Sequence, residues 1–300
     1  MSATLQYWLI KMLSRIICLL PYPLVCRLGR GLGKILYWVI ARQRDRGIAQ
    51  LMQGLKISHQ EADQIIRRLF ANIGQTFMEI LYTPALTTAK IDEFITISGT
   101  EHLAQAFGQG RGVILLTGHI GNWEWLGAAL ARVGFPTTTI VKPQPNPVYT
   151  RLLNEYRELV GLTVFNRGTS EILQAARALK QGKILGFLAD EDGGTEGIFV
   201  DFFGQMASCP AGPATFAHKF GSVIVPASIS RRAGGGHTVV IEPPLVYSHH
   251  QNAKQEIYEN TVTVTKWIES TIRKQPDEWL WFRKRWNTPY CPEEHLPAKD

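Results

Sequence analysis

Several familiar catalytic signatures are missing from this 300-residue chain. It has no G-x-S-x-G elbow, so a standard α/β-hydrolase serine has no support in it. Neither a Walker-type phosphate loop nor a G-x-G-x-x-G run at a strand–helix junction is present, which weakens nucleotide-dependent chemistry. Cysteine is scarce. Cys18, Cys26, Cys209 and Cys291 form no C-x-x-C pair and no framework, and they read as unpaired thiols in a reducing compartment. Acidic residues are in deficit, 25 against 32 Lys and Arg, and the net charge of +7 favours anionic partners such as membrane lipid or an acidic carrier protein. With no recognised nucleic-acid module or zinc spacing, nucleic acid is not expected among them. No internal repeat or low-complexity linker divides the chain.

What is present is apolar material. Hydrophobic residues make up 45 % of the chain and aromatics 10 %, enough for one large core. Residues 7–26 are largely apolar, and a helix of that length reaches roughly 30 Å, the thickness of a hydrocarbon core. Lys11 and Arg15 interrupt the run at i,i+4, so they share one helix face and can snorkel. Pro21 and Pro23 bend or end the helix, and Arg27, Arg30 and Lys34 follow. No small-residue cleavage site follows, which argues against a signal peptide. A buried amphipathic core helix is the alternative to a membrane element. We expect a membrane-anchoring segment over 1–30, spanning or interfacial, with its basic flank on the cytoplasmic side. The apolar patch at 35–41 would extend that surface. The remainder, 31–300, reads as one domain.

Within that domain the spacing of Ile65, Leu69, Ile73, Phe77 and Ile80 predicts a helix over 61–81. Short β-rich runs at 94–98, 113–117, 137–141, 162–165, 184–189, 223–230 and 238–241 then alternate with helical segments at 122–132, 149–160 and 170–181. A long amphipathic helix follows over 254–275. Such alternation predicts an α/β fold with a central, mostly parallel mixed sheet flanked by helices.

The candidate chemistry sits at the corner between the strand 113–117 and the helix after it. There His119 and Glu124 flank Gly121 and Asn122, where open α/β sheets place their active sites. A histidine beside a carboxylate can act as a general base on a hydroxyl, the carboxylate fixing its tautomer. A surface histidine with an unrelated helix-start glutamate would give the same spacing. Gly118 and Gly121 let backbone approach a ligand closely. Asn122 can cap the helix or contact substrate. Lys142 or Arg157, around the Pro-rich corner 142–147, can face an anionic group. Asp190, Glu191 and Asp192 crowd the end of another apolar strand. They read either as a solvated turn or as partners for a cation, a substrate or Arg157, but they are too few to predict a metal. The Phe-rich run 199–204 suits core packing or an acyl-chain groove. The aromatic–cation run 279–286 suits Arg–Trp stacking, interfacial seating or headgroup binding.

These blocks together resemble the bacterial late lipid A acyltransferases, the lauroyl/myristoyl transferase family, which is grouped with the lysophospholipid and glycerophosphate acyltransferases. The resemblance runs from the N-terminal apolar segment to Trp286. It rests on H-x-x-x-x-E at His119–Glu124, Asn146-Pro147 followed by Arg157 and Gly161, Asp190-Glu-Asp192, Phe202-Phe-Gly204, and 276–286. It implies transfer of a fatty acyl chain from acyl carrier protein to a hydroxyl of a lipid A precursor or related glycolipid at the cytoplasmic side of the inner membrane. No cofactor or metal is needed. His119 would be the general base, Glu124 its orienting partner, and Asn122, Arg157 and Asp190 would contact substrate. Glu79 also falls in a family block, without a role. Where the family often has Asp-Gln-Asp, His and Asn-Leu, this chain has Asp190-Glu-Asp192, Arg283 and Gln50-Leu51, so acceptor and acyl length stay open. Lysophospholipid acylation, or hydrolysis of an acyl thioester or lipid by the same dyad, is the alternative.

Overall fold

The structure, a computed structural model, describes residues 2–166, 169–246, 248 and 250–291. The chain begins with four helices: Ala3–Cys18 (α1), Tyr22–Val39 (α2), Ala41–Leu55 (α3) and His59–Tyr82 (α4). Thr88–Phe94 (α5), Ile95–Ser98 (β1) and Thr100–Gly108 (α6) lead into an alternating stretch. That stretch runs Val113–Thr117 (β2), Trp123–Arg132 (α7), Thr137–Val141 (β3), Pro147–Leu159 (α8), Thr163–Asn166 (β4), Thr169–Lys180 (α9) and Ile184–Leu188 (β5). A hairpin, Ile198–Phe202 (β6) and Gln205–Cys209 (β7), precedes Gly212–Phe220 (α10). Val223–Arg231 (β8), His237–Ile241 (β9) and Ala253–Lys274 (α11) follow.

Seven strands form one sheet in the order β1-β9-β8-β2-β5-β3-β4. Only the β8–β9 pairing is antiparallel; every other neighbour pair is parallel. The expected mostly parallel α/β sheet is therefore present. Successive residues of a strand face opposite sides, and the central strands show it. Ile114 and Leu116 of β2 join Leu185 and Ile224 in one core cluster, while Val113 and Leu115 join Ile184, Val223 and Val225 in the other. Burial on both faces accounts for strands that read as continuous apolar runs. The sequence reading missed the hairpin and the short helices α5, α6 and α10, which lack the length that makes helical periodicity legible.

Helix α4 organises the N-terminal part. Ser58 and Glu61 close a capping box at its start. It then crosses α2 at backbone contact. A Cβ on Gly33 would lie 2.0 Å from the Phe70 carbonyl oxygen, and one on Gly74 would lie 2.2 Å from that of Gly29. Only glycine permits that approach, and it fixes where the last turns of α4 deliver Glu79.

The N-terminal segment departs from a spanning anchor. Among the described residues no helix is long and apolar enough to cross a membrane. The apolar run is cut at Pro21, which ends one helix and opens the next because it cannot continue the hydrogen-bond ladder. The α1 helix is pinned to the body. Tyr7 and Lys11 bond Glu155 of α8, and the Ser14 hydroxyl bonds the Leu81 carbonyl. Its opposite face carries Trp8, Leu9, Met12 and Ile16 into the open. On α2, Ile35, Trp38 and Val39 are likewise exposed.

Candidate active site

His119 leaves the C-terminal end of β2 just before α7. Helix α7 starts at Asn122, whose Oδ1 accepts from the Trp125 backbone N–H. Asn122 is fully buried, and its side-chain amide donates to Glu79 at 2.8 Å. It therefore caps the helix and ties the corner to α4, and has no surface with which to meet a substrate. Gly121 stands at φ 64°, and a Cβ there would lie 2.4 Å from the Ile229 carbonyl oxygen. A Cβ on Gly118 would come within 3.1–3.4 Å of the Asp190 carboxyl group. The two glycines thus admit the protein's own neighbouring strands rather than a ligand.

The carboxylate that meets His119 is Asp190, not Glu124. His119 Nδ1 lies 2.9 Å from Asp190 Oδ1. Asp190 directly follows Ala189, which continues β5 by donating its backbone N–H to the Thr117 carbonyl of β2. Since β5 is hydrogen-bonded to β2 along its length, the sheet order itself brings the two residues together. Asp190 is buried, and burial alone would push its carboxyl up. The His119 imidazole and the Trp279 indole, which donates to Oδ2 at 2.8 Å, overcome that and hold it down at about 2. An ionised Asp190 accepts from Nδ1–H and leaves the Nε2 lone pair of His119 free to take a proton. His119 keeps partial exposure, with Glu191 Oε1 3.8 Å from Nε2.

Glu124, five residues further on, turns toward α8. Arg157 grips it with two bonds, Nε to Oε2 at 2.8 Å and Nη2 to Oε1 at 2.6 Å. Bidentate geometry makes this a strong, directional pair. The expected links from Glu124 to His119 and from the acid triplet to Arg157 are thus exchanged. His119 pairs with the triplet, and Arg157 pairs with Glu124. Glu191 instead forms an ion pair with Arg283, and Asp192 accepts from the Thr288 hydroxyl at 2.7 Å. Among the described residues no group of three His, Cys, Asp or Glu could hold a metal ion.

Residues 275–286 form a strap over this corner. Gly121 N–H bonds the Glu278 carbonyl at 2.9 Å, and Ile120 bridges to Trp279. Gln50 of α3 pins the strap by donating to the carbonyls of Trp281 and Arg283. Phe202 and Phe203 pack against Trp279 from beneath, and Arg285 lies 4.6 Å over the Phe202 ring. Phe202 and Phe203 of the Phe-rich run and Trp279, Trp281 and Arg285 of the Trp/Arg run therefore stack in one buried layer. Replacing Trp279 by Phe would remove the Asp190 donor while keeping most of the ring volume. A hydrogen bond to a charged group is worth about 1.5–3 kcal/mol, so the turnover rate is expected to fall at least ~10-fold. The same variant should stay folded because the stacking survives, with a loss of stability no larger than the bond itself, about 1.5–3 kcal/mol. Steady-state kinetics paired with a thermal melt checks both.

Behind the corner lies a network that the sequence reading left without a role. Glu79, fully buried, accepts from Tyr22 Oη, Gln75, Asn122 and His237 Nε2 at 2.8–3.0 Å, with Arg231 3.5 Å away. Arg231 also bonds Glu278 and Thr76. Burial would raise the Glu79 carboxyl, but the His237 and Arg231 charges bring it down to about 2. One buried ionic cluster thus anchors both the helix cap at Asn122 and the strap at Glu278.

The site therefore pairs a histidine with a buried aspartate at the C-terminal edge of a mostly parallel sheet. The family model described as bacterial lipid A biosynthesis acyltransferase matches residues 1–288. A phosphatidylinositol mannoside acyltransferase of Mycolicibacterium smegmatis is 27 % identical over 75 % of this chain and 73 % of its own length. The lipid A biosynthesis lauroyltransferase of Escherichia coli is 25 % identical over 94 % of this chain and 92 % of its own. The lipid A biosynthesis palmitoleoyltransferase of the same organism is 23 % identical over 90 % and 87 %. The chain belongs to the bacterial lipid A biosynthesis acyltransferase family and is an acyltransferase that acts on a lipid-like acceptor.

Proposed function

We propose that this protein moves a fatty acyl chain from acyl carrier protein to a hydroxyl of a lipid A precursor or related glycolipid, at the cytoplasmic face of the inner membrane. The observation that carries the reading is the His119–Asp190 bond, which engages Nδ1 and leaves Nε2 outside it on a partly exposed ring. In this mechanism Nε2 takes the proton of the acceptor hydroxyl as its oxygen attacks the thioester carbonyl. Collapse of the tetrahedral intermediate breaks the C–S bond, and the imidazolium returns its proton to the departing thiolate. Because the thioester is already activated, no covalent acyl-enzyme is needed. Asp190 stabilises the imidazolium while it exists. Arg157, neutralised and oriented by Glu124, shapes the wall that the acceptor enters.

The surface supports such a substrate pair. The exposed apolar faces of α1 and α2 suit seating in an interface rather than spanning it, and the net charge of +7 suits an acidic carrier protein. The test is lipid mass spectrometry of cells lacking the protein. Loss of one acyl group from a single glycolipid class is expected, with restoration by the wild-type gene. Unchanged glycolipids alongside altered phospholipids would move the acceptor to a lysophospholipid.

A further inference from the structure

A second concave site, separate from His119, opens between the α1–α2 turn, α5 and the β8–β9 turn. It is a cavity of about 1130 Å³. Five cations line it, Arg27, Arg30, Lys90, Arg231 and Arg232, against a single carboxylate, Glu93. Arg231 is neutralised from behind by Glu278 and Glu79, though its buried Nε has no partner. The other four make no ion pair among the described residues. Arg27 bonds the Pro23 carbonyl, Arg30 the Asn72 carboxamide, Lys90 the Tyr82 hydroxyl, and Arg232 the Thr96 hydroxyl and backbone carbonyls. Four cations held on neutral acceptors around one hollow repel one another unless an anion enters. Leu19, Leu20 and Pro21 line the same hollow, and Leu19, in the turn between α1 and α2, is 84 % exposed.

A cluster of cations beside apolar residues in one hollow matches an amphiphile whose head is a phosphate. We propose that this cavity binds the phosphate of an anionic membrane phospholipid, so that the α1–α2 segment is seated in the bilayer by a specific headgroup as well as by its exposed apolar residues. Guanidinium groups suit phosphate oxygens, and the exposed leucine would lie where the acyl chains begin. His119 is not among the residues that line the cavity, and the cavity needs no acyl donor, so the proposal stands apart from the acyl-transfer reading.

The test is flotation of the full chain with vesicles of phosphatidylcholine alone and with vesicles doped with phosphatidic acid. Arg27→Gln with Arg30→Gln is expected to lower partitioning onto the doped vesicles by about 30-fold, the effect of two basic residues at an anionic surface. Partitioning onto neutral vesicles should stay unchanged. The Lys/Lys double variant should keep most of the binding. A double variant on α9, Arg177→Gln with Lys180→Gln, removes the same charge elsewhere and should have little effect. Equal losses from both neutral pairs would overturn the proposal in favour of diffuse attraction. Full competition by inorganic phosphate at matched phosphate concentration would overturn it in favour of a free-phosphate site. Since Arg30 also holds Asn72, the single Arg27→Gln variant, confirmed folded by circular dichroism, provides an independent reading, and no loss there would also contradict the proposal.

Discussion

Replacing His119 by Ala is expected to lower acyl transfer by at least ~10²-fold, the contribution of a positioned general base. The fold should be retained. His119 is partly exposed, and its neighbours Asp190 and Trp279 remain bonded to each other in its absence. The loss should appear in kcat rather than KM, because the imidazole acts on the proton in flight. Asp190→Asn provides the companion result. An asparagine at this position can donate to Nδ1, which favours the wrong tautomer and places the proton on Nε2, where the lone pair is required. A loss approaching that of His119→Ala would mark Asp190 as the orienting carboxylate. Glu124→Gln beside it separates the two acids and is expected to cost less than Asp190→Asn, since Glu124 bonds Arg157 and not His119. Single-turnover assays on folded variants are the measurement.

Replacing Glu79 by Ala should be the most damaging change to stability, costing about 3–5 kcal/mol, the scale for removing one partner of a buried ionic pair. The carboxylate is the common acceptor of Tyr22, Gln75, Asn122 and His237, and it offsets Arg231. Without it those donors stay buried and unsatisfied. Glu79→Gln keeps the volume and reveals the pH dependence. The folded carboxyl is held at about 2, against an ordinary 4.5, so the unfolded chain binds the proton more readily. Its stabilisation is therefore complete above the unfolded value and drains away as the pH falls from about 4.5 toward 2. Glu278 acts in the opposite direction, because burial raises its carboxyl, with Arg231 only partly compensating. The difference between wild type and Glu79→Gln isolates the first effect. Denaturation midpoints from pH 7 downward should differ widely at neutrality and converge in acid. A constant difference across the range would contradict this account of the cluster.

The strands and the strand-to-helix corner at His119 are legible because their signals are local. An apolar run ending in Gly118 and His119, followed by a cap and a helical stripe, needs only neighbouring residues to be read. The partner of His119 was not legible in the same way. Asp190 is 71 residues distant, and it arrives only because β5 lies next to β2 in the sheet. The nearer acid, Glu124, sits in the first turn of α7 and is claimed by Arg157. The Glu79 cluster draws on α2, α4, α7 and β9, with Arg231 at the end of β8. Its only local trace is a carboxylate in the buried stripe of a long helix. The N-terminal segment was left open between spanning a membrane and lying on it. Its Tyr7–Ser14–Ile17 face is packed on the protein, and the apolar run is divided between two helices at Pro21.

The most direct test is an assay of the purified protein with an acyl carrier protein thioester, with and without acceptor glycolipid, read by mass spectrometry of the lipid. We expect an acyl mass to appear on the acceptor with wild type, little thioester cleavage when acceptor is omitted, and neither with His119→Ala. Acyl release at the same rate with or without acceptor, or transfer unaffected by His119→Ala, would contradict the account.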